Sequence, residues 1–399
     1  MKLIFVTTIL NGIGGIQSSL LNLIENLVQV NPDVEISLCV LSNQIETFDR
    51  ISSGVTVVAG VDEYLYCIQN SQTLLRHTKK INKKIRVLGH KTLMKLIGFD
   101  RVLQWTLKDF KIPGEYDVAI AWSNDMYKNG HRITGGCYDV VIHSIEAKKK
   151  FAWIHNECKE LGFERENCLS MFKYFDGIVN VSANCKAMLD EIVPEYKNKS
   201  YVVNNTVNEK LLKQAVRKNG FFQDNKKIHL VTVCRIKNQQ KRLDRIIEAC
   251  KKMKLSGQTN YCWYIIGDGP DLEKLRGQIK MEKLENQIIC LGKLDFPFDY
   301  VINADLFVLS SKYEAFPMTL IESISLGTPV LSTNYVSARE IIKEGENGFL
   351  CENSSKGFTC KVCDLISNPG NILQVRNTIS KSLGFNESAL KQFSEVVGG

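Results

Sequence analysis

The order of apolar runs and amphipathic stretches predicts a doubly wound α/β protein. The first run, from Leu3 to Leu10, is apolar, a glycine-containing loop follows it, and apolar residues then recur at helical spacing in "IQSSLLNLIENLVQV". Strand, loop and helix in this order form the first unit of a parallel sheet with covering helices. Further strands are predicted in the first half at "EISLCVLS", "VTVVAG", "YDVAIAWS", "FAWIH" and "GIVNVS".

A second series of the same kind begins after the polar connector "RKNGFFQDNKK". Its predicted strands, "IHLVTVCRI", "YCWYIIGDG", "QIICLG", "DLFVLSS" and "PVLST", alternate with the predicted helices "RLDRIIEACKKM", "PDLEKLRGQIKMEK" and "PMTLIESISL". A chain of 399 residues is long for a single core. We therefore expect two domains, residues 1–205 and 206–374, and a C-terminal helix from about 375–399 that returns to the first domain.

The composition is that of a folded protein in a reducing compartment. Apolar residues make up 44% of the chain and charged residues 24%. The 13 cysteines are odd in number and irregularly spaced, which favours buried thiols over disulfides. The Cys360/Cys363 pair has neither a second pair nor nearby histidines, so we expect no zinc site. The opening residues resemble a strand more than a signal peptide, and no run approaches the ~18 apolar residues of a spanning helix. A cytoplasmic protein is expected.

The formal net charge of +8 is concentrated in residues 76–95, which contain eight Lys and Arg residues and no acid. Apolar residues such as Ile85 and Leu88 are interleaved with them. Two interpretations remain open: the stretch contacts an anionic membrane surface or a phosphorylated partner, or it is a solvated basic helix. Nucleic acid is not expected as a partner, because the chain has neither a DNA-reading motif nor an RNP-type aromatic pattern.

Two glutamates flank a predicted helix start in "YEAFPMTLIESISLGTPV". Glu314 should lie in the loop after a buried strand, Pro317 at the first helical position, and Glu322 at the edge of the helix's apolar stripe. The backbone N–H groups of Met318 and Thr319 would then form a phosphate site, and the carboxylates could accept hydrogen bonds from sugar hydroxyls. The alternative is a helix-cap glutamate and a surface glutamate.

Cations and a glycine turn are predicted at the same sheet edge. Arg235 ends one strand and Lys241 follows six residues later, so both could neutralise a departing nucleoside diphosphate. Alternatively they form surface ion pairs. Gly267, in "GDGP", either lets the backbone approach a ligand or simply turns the chain.

The first domain offers fewer candidates. Gly14 and Gly15 could admit a phosphate or an acceptor, but the segment lacks the full GxGxxG spacing of a dinucleotide site. His155 ends an apolar strand, where its imidazole could hydrogen-bond a substrate near neutral pH or be structural. The sequence contains no HExxH motif and no evident Ser-His-Asp set, and no DxD-type motif ends a strand, so no metal is expected.

Together these motifs resemble the retaining nucleotide-sugar glycosyltransferases of family four, which have the GT-B fold of two Rossmann-like domains facing a central cleft. The resemblance is strongest from about residue 227 to 350 and looser in "GGIQSSLLNLIENL" and "FAWIHNE". It implies one role for each matching position. Glu314 and His155 would lie at the donor sugar, Glu322 at the ribose, Arg235, Lys241, Met318 and Thr319 at the diphosphate, and Leu291 to Lys293 at the base.

This sequence departs from the common family pattern at two positions. Cys234 and Ala315 stand where glycine is usual, which changes the backbone freedom around the donor site. The resemblance implies retention of anomeric configuration without a bound metal or other cofactor.

The expected function is transfer of a sugar from a nucleotide donor, UDP first and GDP next, to a lipid-linked or saccharide acceptor in capsule, O-antigen or related polysaccharide synthesis. The protein would act in the cytoplasm or at the inner face of the plasma membrane. Two alternatives remain open: a nucleotide-sugar epimerase of similar shape, and a non-catalytic partner of another transferase.

Overall fold

The computed structural model describes residues 1–10, 14–43, 45, 50–64, 67, 81–222, 224, 226–379 and 384–398, without the side chains of residues 81 and 83. Two compact units are present: residues 1–206 with 386–399, and residues 207–385. The C-terminal segment that joins the first unit is shorter than the expected residues 375–399. The helix Pro369–Thr378 belongs to the second unit, because its Ile372 and Val375 are buried in that unit's core. The following helix belongs to the first unit, where Phe393 packs against Trp153.

The first unit contains a seven-stranded parallel sheet with the order β3-β2-β1-β4-β7-β8-β9. The strands are β1 Lys2–Thr7, β2 Glu35–Val40, β3 Thr56–Ala59, β4 Glu115–Ala121, β7 Glu146–Ile154, β8 Gly177–Asn180 and β9 Ser200–Val202; β5 Met126–Lys128 and β6 His131–Thr134 form a separate antiparallel hairpin. The helices are α1 Gly15–Val30, α2 Ile81–Ile97, α3 Phe99–Leu107, α4 Cys137–His143, α5 Cys158–Leu161, α6 Arg165–Phe172 and α7 Ala183–Ile192, with a 3₁₀ helix at Pro194–Lys199.

The second unit contains a six-stranded parallel sheet with the order β12-β11-β10-β13-β14-β15. Its strands are β10 Ile228–Val233, β11 Tyr261–Ile266, β12 Ile288–Gly292, β13 Leu306–Leu309, β14 Val330–Thr333 and β15 Gly348–Cys351. Its helices are α8 Glu209–Leu212, α9 Asn238–Lys241, α10 Asp244–Leu255, α11 Leu272–Met281, α12 Phe298–Asn303, α13 Met318–Ser325, α14 Val336–Ile341, α15 Ser355–Ser367 and α16 Pro369–Thr378; α17, Phe385–Val397, returns to the first unit.

Each sheet reverses its strand order at its centre, between β1 and β4 in the first unit and between β10 and β13 in the second. This is the strand order of the Rossmann fold, which binds ligands where the order reverses, beyond the carboxyl ends of the strands. The central strand β13 is apolar and fully buried, and its neighbour β14 is fully buried too, as parallel sheets covered by helices require. Residues that follow β10 and β13 are therefore the first candidates for a site in the second unit.

Strands β9 and β15 and the hairpin β5–β6 were absent from the sequence-based prediction. Strand β15 has only four residues, and the hairpin strands β5 and β6 alternate exposed and half-buried positions without an apolar run. The hairpin has a readable signal nonetheless, because Asn129 and Gly130 both have positive φ, as a two-residue hairpin turn requires.

All 13 cysteines are free thiols, and ten of them are buried, in agreement with the expectation. Cys360 of the CxxC pair is exposed. In the part of the chain that the structure describes, no helix has the length and apolar character needed to cross a bilayer.

Candidate functional site

The candidate site lies at the carboxyl edge of the second sheet, where β10 and β13 are neighbours. The loop after β10 and the loop after β13 are joined there by two hydrogen bonds. The Lys312 amide donates to the Gln240 carbonyl over 2.7 Å, and the Ser310 hydroxyl donates to the Lys241 carbonyl over 2.7 Å. These bonds hold the two loops in register, so that the side chains of Lys241 and Glu314 meet in an ion pair.

The carboxylate of Glu314 is buried and fully engaged. Its side chain is 10% exposed, and Oε1 accepts hydrogen bonds from the Lys241 ammonium and from the Ser311 hydroxyl, the latter over 2.6 Å. Oε2 accepts a longer bond, 3.3 Å, from the Gln240 amide, and the Ser337 hydroxyl donates to the Glu314 carbonyl over 2.6 Å. Sequence reasoning missed Gln240, Ser311 and Ser337. Their hydroxyl and amide groups lie around Glu314 in the structure, but their positions in the sequence do not indicate this contact.

Lys241 keeps its proton in this setting. Burial by itself would lower the pKa of Lys241, but the negative charge and hydrogen bond of Glu314, with Cys234 nearby, raise that pKa above its ordinary value. Burial raises the pKa of the Cys234 thiol to about 11, so this thiol is neutral near pH 7. The pair is therefore a carboxylate held by an ammonium. Lys241 also differs from the expected position, because it ends the short helix α9 and the left-handed Arg242 separates it from α10.

Arg235 provides a second cation at the same edge. It is the second residue after β10 and is exposed, and its guanidinium has no ion-pair partner among the described residues. An anion that reaches this edge would therefore meet one cation that is free and one that is shared with Glu314. This arrangement suits a diphosphate, whose two charges can be neutralised by separate cations.

The "GDGP" turn supports the loop that contains Arg235. Gly267 has φ +144°, and a Cβ at this position would lie 1.9 Å from the Cys234 carbonyl oxygen; at Gly269 it would lie 2.3 Å from the Ile236 carbonyl oxygen. The Ile236 amide donates to the Asp268 carbonyl over 2.8 Å. Both glycines are thus required for close packing of two backbone segments. Contact of Gly267 with a donor stays a prediction.

Helix α13 begins one residue later than expected. Pro317 is the N-cap and Met318 the first helical residue. As predicted, Leu320, Ile321 and Ile324 form the buried stripe, and the helix ends before Gly327, which has φ +74°. The first amides of a helix, here those of Met318 and Thr319, have no acceptor within the helix and can bind a phosphate. Glu322 lies in the second turn and is half-buried.

The remaining predicted donor residues lie at the end of β12. Leu291 is half-buried in the strand, and Lys293 is exposed just beyond Gly292. The Gly267 amide donates to the Gly292 carbonyl over 2.8 Å, which ties this strand end to the "GDGP" turn. The structure thus gathers the predicted donor residues of the second unit at the carboxyl ends of four adjacent strands, β12, β11, β10 and β13.

His155 follows β7 in the first unit and is buried. Its backbone N–H donates to Asn124 Oδ1 over 3.0 Å, and its ring centroid lies 4.6 Å from that of Trp122. Burial lowers the pKa of His155 to about 3, although a hydrogen bond to the Trp122 backbone favours the charged form. Nε2 is buried without a partner among the described residues, so the bond to Trp122 belongs to Nδ1. His155 is therefore a neutral imidazole with an open acceptor at Nε2, and not a group that titrates near pH 7.

Gly14 and Gly15 are the N-cap and the first residue of α1. The indole N–H of Trp122 donates to the Ile16 carbonyl over 3.0 Å, which ties the start of α1 to the end of β4. Residues 11–13 of the predicted loop lie outside the described residues. Binding of a phosphate or an acceptor by this loop stays a prediction.

In the part of the chain that the structure describes, no group of three or more His, Cys, Asp and Glu side chains is arranged to hold a metal ion. Lys241 and Arg235 are two cations that follow β10 at this edge and could act on a bound anion. The arrangement can bind a diphosphate and a hydroxyl-rich group side by side.

Part of the chain matches a known protein family. Residues 213–381, which include Lys241 and Glu314, match the family described as glycosyl transferases group 1. Over these residues the chain is similar to the group 1 glycosyl transferases. The predicted resemblance to nucleotide-sugar glycosyltransferases is thus confirmed for the second unit.

Two curated relatives are similar over part of their length. An uncharacterized glycosyltransferase from Methanocaldococcus jannaschii is 26% identical over 285 residues, which are 65% of this chain and 66% of the relative. The lipopolysaccharide 1,6-galactosyltransferase of Salmonella typhimurium is 38% identical over 92 residues, which are 22% of this chain and 26% of the relative. The matched part of this chain therefore spans less than two thirds of either relative.

Among solved structures, HepE of Anabaena in complex with UDP and glucose is similar over the whole chain. The TM-score is 0.65 at 14% sequence identity, with 100% of this chain and 98% of HepE covered. This likeness shows the fold. It confirms the predicted GT-B class with its two Rossmann-like domains.

Proposed function

We propose that this protein transfers a sugar from a nucleotide diphosphate donor to a saccharide or lipid-linked acceptor. The observation that supports it most is the buried Lys241–Glu314 pair at the point of strand-order reversal in a group 1 glycosyl transferase domain. A buried charge pair contributes little net stability even when hydrogen-bonded, and buried charges at a ligand-binding sheet edge are typical of functional sites, so the pair beside an exposed Arg235 supports a role in binding.

The proposed donor is a UDP-sugar, with GDP-sugars next. HepE, which has the same fold, binds UDP and glucose. In the proposed complex, Arg235, Lys241 and the start of α13 hold the diphosphate and stabilise the charge that develops on it as the sugar leaves. Glu322 holds the ribose, and Leu291 and Lys293 lie at the base. Glu314 holds Lys241 and faces the donor sugar.

The proposed reaction retains anomeric configuration and requires no metal. Arg235 and Lys241 supply the positive charge that a divalent cation would otherwise provide. His155 acts as a hydrogen-bond acceptor for a sugar hydroxyl through Nε2. It does not act as a general base in the physiological range, because its pKa of about 3 makes the imidazole too weak a base.

The proposed acceptor belongs to surface-polysaccharide synthesis, by analogy with the lipopolysaccharide galactosyltransferase of S. typhimurium. Capsule and O-antigen precursors are built on lipid carriers, so the reaction would take place in the cytoplasm or at the inner face of the plasma membrane.

A thermal-shift panel tests the donor. The purified protein is heated with UDP, GDP, ADP or CDP, first in EDTA and then with magnesium. We expect one nucleotide, UDP, to raise the melting temperature equally under both conditions. Glu322→Ala should reduce that shift, whereas the control Glu285→Ala, an exposed glutamate before β12, should not. No shift with any nucleotide would contradict the proposal and favour a non-catalytic partner.

A product assay separates transfer from isomerisation. With the nucleotide-sugar that the panel selects, a transferase changes the donor appreciably only when an acceptor is present, and NMR of the new linkage gives the anomeric configuration. Conversion of the donor sugar to its epimer without an acceptor would contradict transfer. An inverted linkage would contradict retention.

A further inference from the structure

Helix α2, at residues 81–97, has its more apolar face turned to solvent. Ile85, Leu88 and Leu96 are 63%, 52% and 74% exposed, and their spacing places them on one stripe of the helix together with the exposed Thr92. An ordinary surface helix turns such a stripe toward the core. We call Ile85, Leu88 and Leu96 the α2 stripe.

The opposite face of α2 anchors the helix to the first unit. Val87 is fully buried, His90 is 8% exposed, and Met94 packs against the unit's core cluster. These three residues are spaced three and four positions apart, so they define one inward face. The outward direction of the α2 stripe is therefore fixed by packing, and the helix cannot turn to bury the stripe without exposing the anchoring residues.

Lysines flank the α2 stripe along one side. Lys84 and Lys95 have no ion-pair partner among the described residues, and Lys95 is exposed. Lys91, on the same side, donates from Nζ to the Cys67 carbonyl over 3.2 Å. On the other side, Arg86 pairs with Glu63 over 3.2 Å. The sequence from residue 76 to 98 contains no acid, and the nearby Glu63 and Asp100 are paired with Arg86 and Arg132, so the unpaired charges described beside the stripe are cations.

Apolar surface continues beside the C-terminal end of α2. An open depression of about 930 Å³ lies between α2, the start of α3 and strand β6, and its lining includes Leu96, Ile97, Ile133 and Arg101. Trp105 on α3 is 61% exposed, with its ring 5.6 Å from that of His90. Leu96, Ile97 and Ile133 therefore contribute to one apolar surface, with Arg101 beside it and Trp105 exposed on the neighbouring helix. Contiguous exposed apolar surface of this kind marks an interaction site.

We infer that this surface docks on an anionic lipid bilayer. The α2 stripe enters the boundary between head groups and acyl chains, and Lys84, Lys95 and Arg101 reach the lipid phosphates with their flexible stems along the apolar surface. This goes beyond the proposed sugar transfer, because docking requires neither donor nor acceptor.

A bilayer fits the surface better than an acidic protein does. The outermost groups of α2 are aliphatic and the cations lie beside them, which is the order of an interfacial helix with its apolar face toward the acyl chains. A partner recognised mainly by acidic side chains would leave the aliphatic stripe without a counterpart.

Vesicle flotation tests the inference without any measurement of activity. The full chain is mixed with vesicles of phosphatidylcholine alone or with 30% phosphatidylglycerol, at low and at high salt. We expect binding to the anionic vesicles that weakens as salt rises. The triple variant Ile85→Ser, Leu88→Ser, Leu96→Ser should bind at least tenfold more weakly. Its matched control, Leu255→Ser with Leu373→Ser, changes exposed leucines of the second unit and should bind like the unaltered protein.

The charge contribution is measured in the same assay. Lys84→Gln with Lys95→Gln should weaken binding to anionic vesicles by at least fivefold, and the control Lys274→Gln with Lys280→Gln on α11 should not. Absence of vesicle binding would overturn the inference and leave an acidic protein as the occupant of this surface. Binding by the stripe variant equal to that of its control would overturn it as well. Nucleotide-induced thermal shifts of the same variants show whether the donor site is intact, so failure of docking is distinguishable from failure of the proposed function.

Discussion

His155 allows a prediction whose size follows from the structure. Its imidazole is buried against Trp122, and burial lowers the pKa of His155 to about 3. In the unfolded chain the same group has a pKa near 6.5. Between these two values the unfolded state binds a proton that the folded state does not. The folded state therefore loses stability as pH falls through this window, and keeps its full stability above it.

At pH 5 this loss amounts to about 2 kcal/mol, because each pH unit below 6.5 contributes about 1.4 kcal/mol while the folded group stays neutral. At pH 7.5 the contribution is negligible. A folded-state pKa one unit higher would change the result little, since pH 5 would still lie above it. The predicted loss thus follows from burial of the imidazole, which keeps it neutral at pH 5.

The assay is urea unfolding of the protein and of His155→Gln at pH 7.5, 6 and 5. The stacked Trp122 and Trp153 rings, with centroids 4.8 Å apart, provide a fluorescence signal next to the altered site. The free energy of unfolding of the unaltered protein should fall by about 2 kcal/mol more than that of His155→Gln between pH 7.5 and 5. His131→Gln, which removes an exposed imidazole, should follow the unaltered protein. Equal pH dependence in the protein and in His155→Gln would refute the burial argument, as would NMR evidence that His155 titrates between pH 5 and 8.

Three further predictions concern stability. Arg132→Met should destabilise the first unit by about 3–5 kcal/mol in urea unfolding, because it leaves the buried Asp125 without its cation. The loss should shrink near pH 5, since burial raises the pKa of Asp125 to about 6. An equal loss of stability at pH 5 and pH 8 would count against this role of Arg132. Gly267→Ala should lower the melting temperature and weaken UDP binding, because the added Cβ would meet the Cys234 carbonyl oxygen. The control Gly277→Ala, with open space around it, should stabilise α11 by about 0.5–1 kcal/mol. Similar outcomes for the two variants would contradict the packing role of Gly267. Lys241→Met should destabilise the second unit by about 3 kcal/mol, because it leaves the buried Glu314 carboxylate unpaired. The double variant Lys241→Met with Glu314→Gln should regain stability but not diphosphate binding. Regained diphosphate binding in the double variant would contradict a role of Lys241 in the donor site.

The periodic pattern predicts the two sheets well because each central strand is a short apolar run followed by a loop. Elements without that pattern escaped prediction. β5 and β6 are half-exposed and β15 has four residues, so neither has the run that identifies a strand. The C-terminal return was expected from about residue 375, whereas α16 stays with the second unit and α17 joins the first, because the sequence of these helices does not show which core each one joins.

The site was predictable at the level of strand ends. Arg235, Lys241 and Glu314 follow β10 and β13, and parallel strands bring their carboxyl ends to one edge. The detailed contacts were not predictable. Nothing in the spacing shows that Ser311 and Gln240 complete the hydrogen bonding of Glu314, or that the "GDGP" glycines pack against the Arg235 loop. The outward direction of the α2 stripe depends on tertiary packing for the same reason.

The central claim is that Lys241 and Arg235 at the edge of the second sheet bind the diphosphate of a nucleotide-sugar. Isothermal titration calorimetry in EDTA tests it most directly, with UDP and uridine as ligands for the unaltered protein and for Lys241→Met. UDP should bind the unaltered protein far more tightly than uridine does, and Lys241→Met should lose about 1.5–3 kcal/mol of UDP binding with little change for uridine. Equal losses for both ligands, or UDP affinity unchanged in Lys241→Met, would contradict the claim.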